Sequence, residues 1–152
     1  MSKLLIYYFL FFKNNYFYDI MLKIRGHHLL CLQGFQGYGY NEDFVKNMTI
    51  IYDKIMNDEE YIKLISSIDD ICKKCPNNKC DICINKDENS KIIKMDKIVL
   101  RKIQKEKNSN YYKASELFDL INNKLFTKKE DIKNTCLGCK WYDVCLWAKQ
   151  IK

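Results

Sequence analysis

Proline occurs once in this 152-residue chain, at Pro76, and glycine only five times. Linker-rich, collagen-like and low-complexity architectures need far more of both. No apolar run approaches the ~20 residues that cross a bilayer; the longest, Leu4 to Phe12, has nine. No block of five or six like charges marks a basic or acidic tail. Histidine is confined to the adjacent pair His27 and His28. P-loop, dinucleotide-fingerprint and Ser–His–acid patterns are missing, which argues against the common nucleotide-binding and serine-hydrolase chemistries.

What remains is globular. Apolar residues make up 47% of the chain and charged residues 30%, enough to build one core and cover it. The net charge of 26 − 19 = +7 is spread along the chain, so a lysine-rich surface is favoured over a nucleic-acid footprint. The eight cysteines are the exceptional feature. Cys72, Cys75, Cys80 and Cys83 form the group C-x2-C-P-x3-C-x2-C, and Cys136, Cys139 and Cys145 form C-x2-C-x5-C. Cys31 stands apart, four residues after His27.

A disulfide framework would need an oxidising compartment and an export signal. Leu4–Phe12 behind Lys3 resembles a signal core, but no small-x-small cleavage site follows. The chain therefore reads as cytoplasmic, with reduced thiols and no transmembrane segment. Residues 1–20 are rich in Phe, Tyr, Ile, Asn and Lys, like translated AT-rich upstream DNA, and chemically structured sequence begins only at Met21. They are expected to be a non-native or poorly structured extension. An extra element docked on the core, or a weak membrane contact, is the alternative. Residues 21–152 form a single cysteine-rich metal-binding domain.

A C-x2-C turn lets two thiolates reach one centre, and thiolates select iron–sulfur or zinc over hard cations. An iron–sulfur cluster, of the 4Fe–4S type and one or two in number, is the leading reading. Zinc is the alternative, and redox-active or structural thiols come third. Pro76 directly after Cys75 is in keeping with iron–sulfur loops. The gap between the first two pairs fits neither a ferredoxin nor a common zinc module. Gly138 sits inside the second turn, and Trp141 and Trp147 flank it, where they would exclude water. The simplest arrangement takes three thiols of the first group for one centre and Cys136, Cys139 and Cys145 for a second. Cys31 or a histidine would complete one or both; a single shared centre is the alternative. Cys31 is otherwise a buried core thiol. His27 and Cys31 are i, i+4 neighbours on a helix and can share a site. Arg25 beside them can pair with an anion or steady a cluster's charge.

The fold is expected to be mainly α: short amphipathic helices in one small domain, with cysteines on irregular loops. His27–Gln33 reads as a short buried helix, followed by the Gly-rich loop GFQGYGY. Asn41 is placed to cap a helix whose apolar face is Phe44, Met48, Ile51, Tyr52 and Ile55. Glu88–Gln104 is a second amphipathic helix with Ile92, Met95, Val99 and Ile103 on one face. Ser115 is placed to cap a third helix through Leu125, and Thr127-x-x-Glu130 to form a capping box for a fourth. Tyr61–Ile68 leaves room for one short β element.

At RGHHLLCLQGFQGYG, residues 25–39, the chain resembles a family of short bacterial and archaeal proteins of unknown function, suspected of iron–sulfur binding. The likeness continues through Cys72–Pro76, Met95–Asp96, Val99–Leu100 and C-x2-C-x-W-x3-C at Cys136–Cys145, spanning about residues 21–147. It implies that Arg25, His27, His28, Cys31, Cys72, Cys75, Cys136, Cys139 and Cys145 are motif positions. Members carry one cysteine after the first pair where this chain has Cys80 and Cys83, and spacing to the next helix favours Cys83. The family's start near Met21 agrees with treating residues 1–20 as an extension. No reaction comes with the resemblance. The functional expectation is an iron–sulfur protein acting in electron transfer, redox sensing or as an accessory factor, with a redox partner protein. Two alternatives stand beside it. One is a zinc protein that binds nucleic acid or a protein; the other is an iron–sulfur redox enzyme using His27 or His28.

Overall fold

A computed structural model describes residues 21–57, 60–84 and 86–150, so the reading of residues 1–20 lies outside the described part. The chain enters through a short strand, β1 (Leu22–Arg25), and turns directly into helix α1 (Gly26–Gly34). Most of α1 is buried, Gly26 through Leu30 continuously, as expected for a helix enclosed by others rather than amphipathic. Gly26 makes that enclosure possible. A Cβ there would press within 2.9 Å of the Asp96 backbone carbonyl on the neighbouring helix.

Asn41 caps helix α2 (Glu42–Asn57) through a 2.9 Å bond from the Phe44 N–H to its side-chain oxygen. Phe44, Met48, Ile51 and Ile55 form the buried face, as their spacing predicts. Strand β2 (Tyr61–Ile65) then pairs parallel with β1, Leu22 opposite Ile62 and Arg25 opposite Ile65. A 3-10 turn (Ile71–Lys74) opens the first cysteine group, and a small hairpin of β3 (Asn78–Lys79) and β4 (Ile82–Cys83) closes it. Helix α3 (Lys86–Glu106) buries Met95, Val99 and Ile103. Strand β5 (Tyr111–Lys113) pairs antiparallel with β2, giving the order β1-β2-β5.

Helix α4 (Ala114–Leu120) runs on through a π-helical turn at Ile121–Leu125. Helix α5 (Lys129–Thr135) delivers the chain to the second cysteine group, a 3-10 turn (Tyr142–Val144) follows, and α6 (Leu146–Gln150) ends the described chain. The mainly helical single small domain is thus observed, with more strand than the sequence suggested. The additional strands are short: β1 and β5 hold four and three residues and lie beside glycine or polar segments, too brief for alternation to register. Two caps differ from expectation. The flanking positions of α4 and α5 are Lys113 and Lys128, neither with a side-chain cap bond, so Ser115 lies inside α4 and Thr127 outside α5.

Candidate metal centre

Two carboxylates from the loop after β2 accept hydrogen bonds from the backbone of β1. The Lys23 N–H donates to Asp70 Oδ2 at 2.6 Å, and the Arg25 N–H donates to Asp69 Oδ2 at 2.8 Å. These bonds fix the start of α1 and bring the first cysteine group beside it. The Cys72 N–H donates to Asp69 Oδ1 at 2.9 Å, and His28 Nδ1 bonds Asp69 Oδ2 at 2.6 Å. One buried carboxylate therefore joins strand, helix and cysteine loop.

A second carboxylate does the same from α3. Asp96, 1% exposed, receives Arg25 Nε at 2.9 Å and Nη2 at 2.6 Å on one oxygen. The other oxygen receives the His27 backbone N–H at 2.9 Å and faces His27 Nδ1 at 2.7 Å. Burial pushes His27 down, the neighbouring His28 charge adds to that, and together they outweigh Asp96, taking it to about 4. His27 is consequently a neutral imidazole at neutral pH, its Nδ1–H donated to Asp96 and its Nε2 left as an acceptor. Burial alone would raise both carboxyls. Their histidine and backbone donors, and Arg25 for Asp96, reverse this and hold both below the usual carboxylate range. Arg25 is pulled up by Asp96 against its own burial and stays charged.

Both imidazoles, with ring centroids 4.0 Å apart, line a cavity of about 120 Å³. Four thiols line it as well: Cys31 from α1, and Cys136, Cys139 and Cys145 from the segment between α5 and α6. Burial raises Cys31 well above the ordinary thiol value, and the charges of Cys139, Cys136 and Cys145 push it the same way. Cys136 is taken up to about 12 by burial, then by Cys139 and Cys145. Without a cation Cys31 and Cys136 therefore favour the protonated form, and a bound metal would have to displace those protons.

Local structure explains the convergence. The Cys139 N–H bonds the Cys136 carbonyl at 2.9 Å, and Gly138 takes φ +79° inside that turn, a conformation a side chain would strain. Gly34 at the end of α1 has no room for a side chain, since a Cβ would collide with Cys145 Sγ. Gln36 Nε2 holds the Val144 carbonyl. Trp147 Nε1 donates to Asn122 Oδ1 at 2.8 Å, and Asn122 Nδ2 donates to Gln33 Oε1 at 2.8 Å, binding α6 to α1. Tyr40, Phe44, Trp141 and Trp147 wall the cavity, with Lys91 and Lys140 also on its lining.

The first cysteine group is arranged differently. Cys72 is buried, and burial followed by the Asp69 charge takes it up to about 12. Cys75 lies within electrostatic reach of Cys83 across the hairpin. Cys80 is exposed at the hairpin tip, where Cys80 and Asp81 take φ of 49° and 61°. Two successive positive φ values are those of a type I′ turn, which favours Asn-Gly. No disulfide joins any of the eight cysteines.

Among the described residues, His28, Asp69 and Cys72 are the group whose metal-ligating atoms all lie within 4.8 Å of one another. They are a set able to hold a metal ion. Asp69 and Asp96 were not singled out as site residues from sequence. Asp96 had a legible signal, because it falls on the same face of α3 as the apolar Met95, Val99 and Ile103.

A family model covers residues 39–145, more than half of the chain. The chain belongs to the family described as protein of unknown function (DUF1284). The matched region contains both cysteine groups, Asp69 and Asp96, while Arg25, His27, His28 and Cys31 precede it. No curated protein and no solved structure matches the chain.

Proposed function

We propose that this protein binds an iron–sulfur cluster through Cys31, Cys136, Cys139 and Cys145 and serves in electron transfer, redox sensing or as an accessory factor. The observation carrying this reading is the delivery of Cys31 from a buried helix to the same cavity as the three thiols of the second group. The donor set fits such a cluster in number and chemistry, being four soft sulfur ligands. The cavity of about 120 Å³ is also several times what one water needs, ~10–15 Å³.

Bound there, the cluster would supply one-electron redox chemistry. The chain's own residues do the rest. Cys31 and the 136–145 segment bind it, Trp141, Trp147 and Phe44 keep water from it, and Lys91 and Lys140 offset the negative charge of the thiolates. Protein purified without oxygen should be brown, contain iron and acid-labile sulfide, and bleach with dithionite. A colourless preparation with stoichiometric zinc and no sulfide would favour the zinc alternative instead.

A second reading, a redox enzyme using His27 or His28, draws on one specific observation. Both rings line the thiol cavity while their Nδ1 atoms are committed to buried carboxylates. That geometry leaves Nε2 as the ring atom that can accept a proton. His27→Gln should leave iron content intact and flatten the pH dependence of the midpoint potential. An unchanged dependence would restrict His27 to a structural role.

A further inference from the structure

The first cysteine group holds a donor set that the four-thiol cavity does not use. His28, Asp69 and Cys72 are all buried, come from α1, the loop after β2 and the first cysteine loop, and place one nitrogen, one oxygen and one sulfur within mutual reach of 4.8 Å. That mixed set matches the ligands of borderline divalent ions of the zinc class. Its formal charge matches as well. A Cys72 thiolate, an Asp69 carboxylate and an uncharged imidazole ligand sum to −2, which a divalent cation cancels; Arg25, paired with Asp96, also reaches the Cys72 side chain. Charge balance matters here because an uncompensated buried charge is strongly destabilising.

An unpartnered acceptor lies on the segment that follows Cys72. Asn78 Oδ1 is buried with no hydrogen-bond partner, while the same amide donates its Nδ2 hydrogen to the Cys72 carbonyl at 3.2 Å. A buried acceptor without a donor calls for a water or an ion near it.

We propose that His28, Asp69 and Cys72 form a second centre, separate from the four-thiol cavity, that binds a single zinc-class divalent ion with its fourth position held by water. Three protein ligands with an open position are the pattern of zinc sites that act on a bound water, as opposed to closed four-thiolate structural sites. His28 also lines the thiol cavity, so the two centres adjoin through one side chain.

The test uses cobalt(II) as the probe, in the full chain carrying Cys139→Ser and Cys145→Ser to remove the other thiol site. One equivalent should bind, with a thiolate-to-cobalt charge-transfer band and the intense visible bands of a four-coordinate ion. Cys72→Ser should abolish the charge-transfer band, and Asp69→Asn should weaken binding at least tenfold. The pair Cys75→Ser and Cys83→Ser should change neither. Circular dichroism checks folding; should Asp69→Asn unfold, the near-isosteric Cys72→Ser decides. Folded protein that takes up no cobalt, a band that survives Cys72→Ser, or a band lost with Cys75 and Cys83 overturns the proposal. Iron and sulfide in the wild-type protein report the other centre separately, so either can fail alone.

Discussion

The two cysteine groups begin with the same C-x2-C turn and end in different places. In the second, Cys136, Cys139 and Cys145 stay together on the wall of one cavity and are joined by Cys31 from a helix more than a hundred residues earlier. In the first, one thiol lies with His28 and Asp69, one is within electrostatic reach of Cys83, and one is exposed at the hairpin tip. The difference teaches that a pair of thiols three residues apart becomes a site only when the fold supplies the remaining donors. For the second group those come from α1, whose burial between α3 and α6 fixes where Cys31 and Gly34 sit. For the first group the nearest additional donors are a histidine and a carboxylate.

The sharpest way to break the contrast is Cys31→Ser. It should remove iron and sulfide as completely as Cys139→Ser, measured by metal and sulfide analysis, because both deny the cavity a donor. Gly34→Ala should act nearly as strongly without touching any ligand. The new methyl group would occupy the place of Cys145 Sγ, so iron content should fall severalfold while the helix itself is favoured by alanine.

Asp96→Asn probes the scaffold both groups share. It leaves the Arg25 guanidinium buried and without its carboxylate, a change expected to cost about 3–5 kcal/mol in denaturant unfolding. A smaller effect should appear on acidification. His27 is held to about 4 when folded and titrates near 6.5 when unfolded, so between those values the unfolded chain binds more protons. Stability should therefore fall as pH drops from about 6.5 to about 4, and His27→Gln should flatten that slope in thermal melts. Asp69 and Asp96, both depressed in the folded state, act further down. Their contribution is present above the ordinary carboxylate range and is lost as pH falls through their folded values. Least of all should happen at Cys80. Cys80→Ser should keep the metal content and change stability by no more than about 0.5 kcal/mol, since the side chain is exposed.

Much of this was legible from residue order. The apolar faces of α2 and α3, the Asn41 cap and the short buried helix at His27 follow from spacing and local chemistry, which act over one or two turns. The parallel pairing of β1 with β2 was not, because it joins residues forty apart through strands too short to show alternation. Spacing cannot choose between Cys31 and a histidine beside the second group for the same reason: it describes one turn, and Cys31 reaches that cavity by tertiary packing. The roles of Asp69 and Asp96 are not legible in sequence, because an aspartate reads as solvent-exposed until the burial around it is known. Asp96 on the apolar stripe of α3 was the available clue.

Anaerobic iron and acid-labile sulfide determination on the wild-type protein and on Cys31→Ser tests the central claim most directly. A four-thiol iron–sulfur centre predicts both elements in the wild type and neither above trace in Cys31→Ser, with the variant still folded by circular dichroism. Iron and sulfide retained at wild-type levels in Cys31→Ser, or sulfide-free zinc in the wild type, would contradict it.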